Sequence, residues 1–295
     1  MRVCAGPSEG AYRRTEQSDG GEVYPVKRIE TDVLIVGAGP AGAMAALALS
    51  RSGVRCIVVS KYRWSANGPR AHLINQRTME VYRDLKVEDK ILEQATPNEL
   101  LGHNIFLESL TGIEYGRLYS WGNDPAHRGE YINASPTIHV DLPQDRLEPI
   151  LITEAARLGA HVRFSTELTD LVQRDDSVTA SVCDRLTDEK FEIRSAYMIG
   201  ADGANSRVAE IIGLPMVGET NLGVVVSALF RADLARFYVN WPGASVLVLP
   251  ARRRGLERRC NVPYCQTMAR MADALGLPPG SRHAGSFASG IEATQ

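Results

Sequence analysis

Six residues carry the strongest chemical signal in this chain. Gly37-Ala38-Gly39-Pro40-Ala41-Gly42 has the spacing GxGxxG, and it lies between an apolar run at residues 32–36 (DVLIV) and an alanine- and leucine-rich stretch at residues 43–52. In that setting each glycine has a physical task. Gly37 permits a tight turn, Gly39 lets the backbone approach a pyrophosphate, and Gly42 allows a helix to pack closely on a strand. The first N–H groups of the following helix lack partners within it, and its positive dipole end faces the turn, so Pro40 and Ala41 stand where a phosphate would sit. A glycine-rich turn without any ligand is the competing reading. A dinucleotide site of this kind expects an acid at the end of the next strand, to bind ribose hydroxyls. Ser60 stands there, followed by Lys61. A serine still hydrogen-bonds a ribose hydroxyl, but more weakly than a carboxylate, so the usual NAD-type recognition is weakened.

Other chemistries find little support. Five cysteines (Cys4, Cys56, Cys183, Cys260, Cys265) are scattered and form no CxxC, and six histidines show neither HxxxH nor HExxH spacing. No disulfide framework and no metal site are expected. A formal net charge of -2 gives no reason to expect nucleic acid or an anionic membrane as partner. Residues 33–50 are uncharged and as long as a membrane span, but three glycines and Pro40 break them. A strand, a turn and a helix account for them better. Residues 1–28 are polar and lack the apolar core of a signal peptide, so they read as a disordered extension of a cytoplasmic protein.

The elements that must position the glycine turn follow from periodicity. Residues 32–36 suit a strand buried on both faces, residues 43–52 a helix capped by Gly53, and residues 54–60 (VRCIVVS) a second strand. This is a βαβ mononucleotide unit whose ordered part starts near Ile29. Residues 75–85 predict an amphipathic helix burying Met79, Tyr82 and Leu85. Residues 100–140 predict twisted antiparallel strands. Residues 144–158 predict a helix broken or started near Pro149, and residues 160–165 a strand. Four short strands are expected at residues 167–174, 177–184, 190–194 and 197–200. A helix at residues 205–212 closes at Gly213. Residues 222–232 and 245–249 read as strands of a second sheet. From Ala251 onward the pattern is lost, with five arginines between Arg252 and Arg259. Either a shifted reading frame or truncation near Leu249, or a native surface tail, would give that change.

Residues 197–207 (YMIGADGANSR) run a strand into Asp202-Gly203, which alone would read as a strand-closing turn. Together with the glycine motif, the segment Pro69-Arg70-Ala71-His72 with Asn75-Gln76-Arg77-Thr78, and the run Leu142-Pro143-Gln144-x-x-Leu147-Glu148, the pattern resembles the class A FAD-dependent aromatic hydroxylases. Within them it is most similar to the chlorophenol and phenol monooxygenases, over residues 31–249.

That resemblance implies an α/β fold, with a Rossmann-type FAD-binding domain interleaved with a mainly antiparallel substrate-binding sheet. The FAD domain would take residues 29–104 and 142–213, and the substrate sheet residues 105–141 and 214–250. Residues 251–295 would be an irregular tail, with the fold incomplete at the C-terminus because no later Gly-Asp segment follows Leu249. Arg70, Gln76, Gln144, Asp202 and Gly203 would join the glycine turn, Ser60 and Lys61 in holding FAD. His72 would take the proton of a phenol, as an imidazole with a near-neutral pKa can; a histidine serving only the backbone or FAD is the alternative. NADPH would be the co-substrate, bound without a second Rossmann unit. O2 would be activated as a C4a-hydroperoxyflavin that hydroxylates a phenol or chlorophenol ortho to its hydroxyl. The resemblance allows a homo-oligomer. Competing functional readings are a halogenase or a reductase on the same scaffold, and a truncated, inactive product with partial FAD binding.

Overall fold

The computed structural model describes residues 12–17, 24–68, 70–96, 98, 102–119, 121–215, 217–219 and 244–248. The first elements are β1 (Tyr12–Gln17), β2 (Tyr24–Val36), α1 (Pro40–Arg51), β3 (Cys56–Val59), β4 (Leu73–Ile74), α2 (Gln76–Asp84) and α3 (Glu88–Leu92). Then follow β5 (His103–Leu107), β6 (Glu114–Tyr119), α4 (Arg128–Asn133), β7 (Val140–Asp141), α5 (Gln144–Arg157) and β8 (His161–Arg163). The last are β9 (Thr166–Gln173), β10 (Val178–Asp184), β11 (Lys190–Gly200), α6 (Arg207–Ile211) and β12 (Ala244–Val248). The chain divides into two compact units, one of residues 1–72, 81–94 and 142–216, the other of residues 73–80, 95–141 and 217–295.

The first unit is built on a sheet of order β8-β3-β2-β11-β10-β9, with β1 paired to β2. β8, β3, β2 and β11 are mutually parallel, whereas β10 and β9 add antiparallel strands. Val33, Leu34, Ile35 and Val36 are all buried, as expected for a strand covered on both faces. On one face Leu34, Val36, Ile57 and Val59 join Leu168, Leu171, Val182, Phe191 and Ile193 in a single cluster. On the other, Cys56 lies against α1, its Sγ 3.5 Å from Ser50 Oγ. α1 buries Ala43, Ala46, Leu47 and Ser50, one helical stripe of mostly small residues that lets α5 pack against it. Leu34→Ala in this core would cost about 3 kcal/mol.

Several sequence expectations need correction. β2 begins at Tyr24 instead of near Ile29, and Tyr12–Gln17 is a strand inside the segment expected to be disordered. Its backbone is paired with β2 from Tyr12↔Ile29 to Gln17↔Tyr24, and β2 pairs in turn with β11 from Arg28↔Glu192 onward. The Arg28–Glu192 ion pair joins that early part of β2 to β11. α1 starts at Pro40, three residues before the alanine run, because proline's fixed φ suits a first helical position. α5 continues through Pro149 without a break. The flanking Leu147, Ile150 and Leu151 are buried, and that burial outweighs the lost backbone bond. The strands expected at 190–194 and 197–200 are one, β11. Residues 190–195 pair with β10 and residues 192–200 with β2, and that overlap carries the strand through Ser195-Ala196. Gly53, with φ +76, caps α1 as expected, and Gly213, with φ +69, follows α6.

In the second unit β4 and β7 form an antiparallel pair, and β12-β5-β6 form a three-stranded sheet. β5 and β6 are antiparallel, as anticipated for residues 100–140, but α4 also falls in that stretch. β12 lies parallel to β5, within the second sheet expected at residues 245–249. The side chain of Asn75 accepts the Thr78 N–H at 2.8 Å and caps α2. The strand expected at residues 222–232 and the tail 251–295 lie outside the described residues.

Candidate functional site

The ends of three parallel strands converge on one groove of the first unit, with a volume of about 750 Å3. That size suits a cofactor. Its floor is the turn after β2. Gly37 N–H donates to Val59 O at 2.8 Å and Ala201 N–H donates to Val36 O at 2.7 Å, so β2, β3 and β11 all hold it. Gly37 has φ +108, and a Cβ there would lie 2.2 Å from Ala201 O. A Cβ on Gly42 would lie 1.9 Å from Gly37 O. Both positions are therefore closed to any side chain. At Gly39 only Glu148 Oε1 comes near, 3.8 Å from a Cβ position, so the backbone is bare towards the groove.

α1 opens into this space without a cap. Gly39 is its N-cap residue, no side chain bonds the helix end, and its first turn holds no acid. Pro40 has no N–H and Ala43 N–H is used by Gly39 O at 2.8 Å, which leaves Ala41 and Gly42 as first-turn donors. A helix end of this kind is a ready anion site.

Of the residues singled out in the sequence, Gly37, Gly39, Pro40, Ala41, Ser60, Lys61, Arg70, Gln144, Asp202 and Gly203 line this one groove. Gly42 lies beneath the turn, in contact with Gly37 O. Ser60 is buried; its N–H donates to Arg163 O at 2.9 Å, its carbonyl accepts Thr166 N–H at 2.8 Å, and its Oγ accepts Tyr62 N–H at 3.4 Å. Lys61 and Arg70 are exposed at the rim. Asp202 has both oxygens engaged by its own loop. Oδ1 accepts Ser206 Oγ–H at 2.6 Å, and Oδ2 accepts the N–H groups of Arg207 at 2.7 Å and Val208 at 3.1 Å. Its carboxylate thus caps α6 at the groove's edge.

His72 and Gln76 do not line the groove. His72 is exposed, and its carbonyl accepts Leu142 N–H at 2.7 Å. Gln76 belongs to the second unit, where its Nε2 donates to Tyr131 O at 2.9 Å and Thr137 O at 3.2 Å. Beside those carbonyls Tyr131 Oη lies 3.0 Å from Nδ1 of the buried His139. Burial pushes the His139 imidazole down, against a smaller upward pull from Asp141.

Two more residues that line the groove, Trp64 and Glu148, were given no site role by the sequence. Trp64 packs on Phe164 with ring centroids 5.3 Å apart, which needed the fold to be seen. Glu148 is 3% exposed, and its spacing of four residues from Gln144 puts both on one face of α5. That i,i+4 pairing was a readable signal.

The glycine cradle, the uncapped helix end and the size of the groove together fit the pyrophosphate of a dinucleotide. A family model described as "FAD binding domain" matches residues 30–274, and the chain belongs to that family. Among curated proteins the chain is 48% identical over 227 residues to 2,4-dichlorophenol 6-monooxygenase of Delftia acidovorans, covering 74% of this chain and 39% of that one. It is 46% identical over 226 residues to phenol 2-monooxygenase of Pseudomonas sp. (strain EST1001), covering 76% and 35%. Among solved structures, the flavin-dependent monooxygenase PieE in complex with FAD and substrate superposes with a TM-score of 0.71 at 42% identity, covering 73% of this chain and 37% of that one. The chain thus spans between 35% and 39% of the length of these three proteins.

Proposed function

We propose that this chain forms the FAD-binding part of a monooxygenase that hydroxylates a phenol or chlorophenol ortho to its hydroxyl. The observation that carries the reading is the uncapped N-terminus of α1, which opens between Gly39 and the Asp202-Gly203 loop in one groove. The N–H groups of Ala41 and Gly42, with the bare backbone at Gly39, would hold the pyrophosphate. Ser60 and Lys61 would meet the adenosine end, and Arg70, Gln144 and the Asp202-Gly203 loop the remainder of the cofactor. Gln76 and His72, which lie outside the groove, would act on the flavin and substrate side, with His72 as the group that takes the phenol proton.

The overall reaction consumes one phenol, one O2, one NADPH and one proton, and yields a catechol, water and NADP+. FAD, when bound, supplies the electron transfer and oxygen activation that no amino-acid side chain provides. The chain's own residues would bind and orient that cofactor. The relatives' names supply the substrate class: phenol and 2,4-dichlorophenol. Cytoplasmic residence and assembly into a homo-oligomer complete the proposal; no described helix is long and apolar enough to cross a membrane.

The test is to purify the chain by gel filtration and record its visible spectrum, then assay NADPH oxidation with phenols. A stoichiometric flavin band, followed by oxidation that phenols stimulate and that yields catechols, is expected. A monodisperse protein that takes up no flavin from excess FAD would overturn the proposal.

A further inference from the structure

Glu148 is a buried carboxylate on the groove wall with two hydrogen-bond partners. Its Oε1 accepts from Gln144 Nε2 at 2.5 Å, and its Oε2 accepts the Ala66 backbone N–H at 2.6 Å. Buried carboxylates require such donors to offset the loss of water. The two partners differ in kind. Ala66 lies in the loop 61–68, which runs along the groove from Ser60; Gln144 is the first residue of α5 and faces the groove itself.

A carboxylate only accepts hydrogen bonds, whereas a glutamine amide has one accepting and one donating end. Glu148 therefore dictates that Gln144 turns its NH2 inward. The Gln144 carbonyl is left as the end available to a ligand, so this stretch of wall recognises hydrogen-bond donors such as hydroxyls. We infer that Glu148 is a positioning residue: it sets the polarity that Gln144 shows to the groove and ties the 61–68 loop to α5. This rests on the reading of the groove as a FAD site. The ligand part that meets Gln144 would be a polyhydroxylated chain instead of a phosphate.

Glu148→Gln would change both bonds. A neutral amide at position 148 has one accepting end in place of two. With that end on Ala66 N–H, its own NH2 meets Gln144, which must flip and show NH2 to the groove. With that end on Gln144, the Ala66 N–H loses its acceptor and the loop its tether.

The experiment has two arms. In the first, without cofactor, nitrogen-15 NMR follows the Ala66 amide and the Gln144 side-chain NH2 in the wild type, Glu148→Gln and Glu148→Ala. In Glu148→Ala, exchange at Ala66 should quicken about tenfold while amides within α1 stay protected, and the Gln144 NH2 signals should shift in both variants. Unchanged exchange and unchanged signals would overturn the inference. In the second arm, FAD affinity is measured for Glu148→Gln, Gln144→Ala and the double variant. Each single change should weaken FAD about tenfold, and the double variant no more than either alone. Losses that multiply to about a hundredfold would show that Glu148 does not act through Gln144. A wild-type chain that binds no FAD would instead refute the reading of the groove, while the first arm still decides whether Glu148 holds its two partners.

Discussion

Two helices begin at the same groove and are treated in opposite ways. α6 is capped by its own chain: Asp202 accepts the N–H groups of Arg207 and Val208, and Ser206 Oγ accepts that of Ala209 at 3.0 Å. α1 starts with Gly39, carries no side-chain cap and has no acid in its first turn. A cap would be favourable by about 1 kcal/mol at either site. Its presence in α6 serves stability, because a helix of five residues cannot hold itself. α1, with twelve residues packed on β3 and α5, needs no such help, and its free donors remain for an anion. The difference separates a helix start that shapes a loop from one left open to a ligand.

The largest change should come from closing the bare turn. Gly37→Val would place a β-branched side chain at φ +108 with its Cβ 2.2 Å from Ala201 O. A loss of about 3 kcal/mol is expected in urea unfolding, together with loss of FAD uptake. Asp202→Ala removes acceptors from three donors and should cost about 2 kcal/mol, with Asp202→Asn recovering roughly half, both read from the urea midpoint. A full loss of FAD binding in Asp202→Asn with unchanged stability would mean that the carboxylate is a ligand before it is a cap. Ser206→Ala should cost only about 0.5–1 kcal/mol, with FAD affinity held within a factor of about two.

The subtlest effect lies at the far end of α5, whose start carries Gln144. Lys90 and, after it, Arg157 hold the Glu154 carboxyl below its ordinary 4.5, against an upward push from burial. A depressed folded value means the stabilisation is complete above the unfolded pKa and fades as pH falls through the folded one. Stability should therefore drop below about pH 4.5 in the wild type, and less steeply in Glu154→Gln. Parallel acid limbs in thermal melts would refute this.

Much of the first unit was legible from local pattern. DVLIV, the glycine spacing and Gly53 mark β2, the turn and the end of α1, because each rests on near-neighbour sterics and burial. Where pairing partners decide, the reading fell short. Nothing in Ser195-Ala196 says that β11 continues; the continuity comes from β10 and β2 on its edges. The pairing of Tyr12–Gln17 with β2 is likewise a tertiary fact. The same split holds at the site. Glycines that must approach a ligand announce themselves, whereas the role of Asp202 depends on where Ser206, Arg207 and Val208 place their donors. For Gln76, likewise, the motif says nothing of the Tyr131 and Thr137 carbonyls to which its amide donates in the second unit.

The central claim is that the bare end of α1 is the pyrophosphate seat of an FAD site. Calorimetric titration of the purified chain with FAD, and separately with FMN, tests it most directly. FMN lacks the adenosine half and the pyrophosphate link. Saturable binding of one FAD per chain, much tighter than that of FMN and abolished in Gly37→Val, is the predicted result. Equal affinity for the two flavins, or FAD binding that survives in a folded Gly37→Val protein, would contradict the assignment of α1 as the phosphate-binding helix.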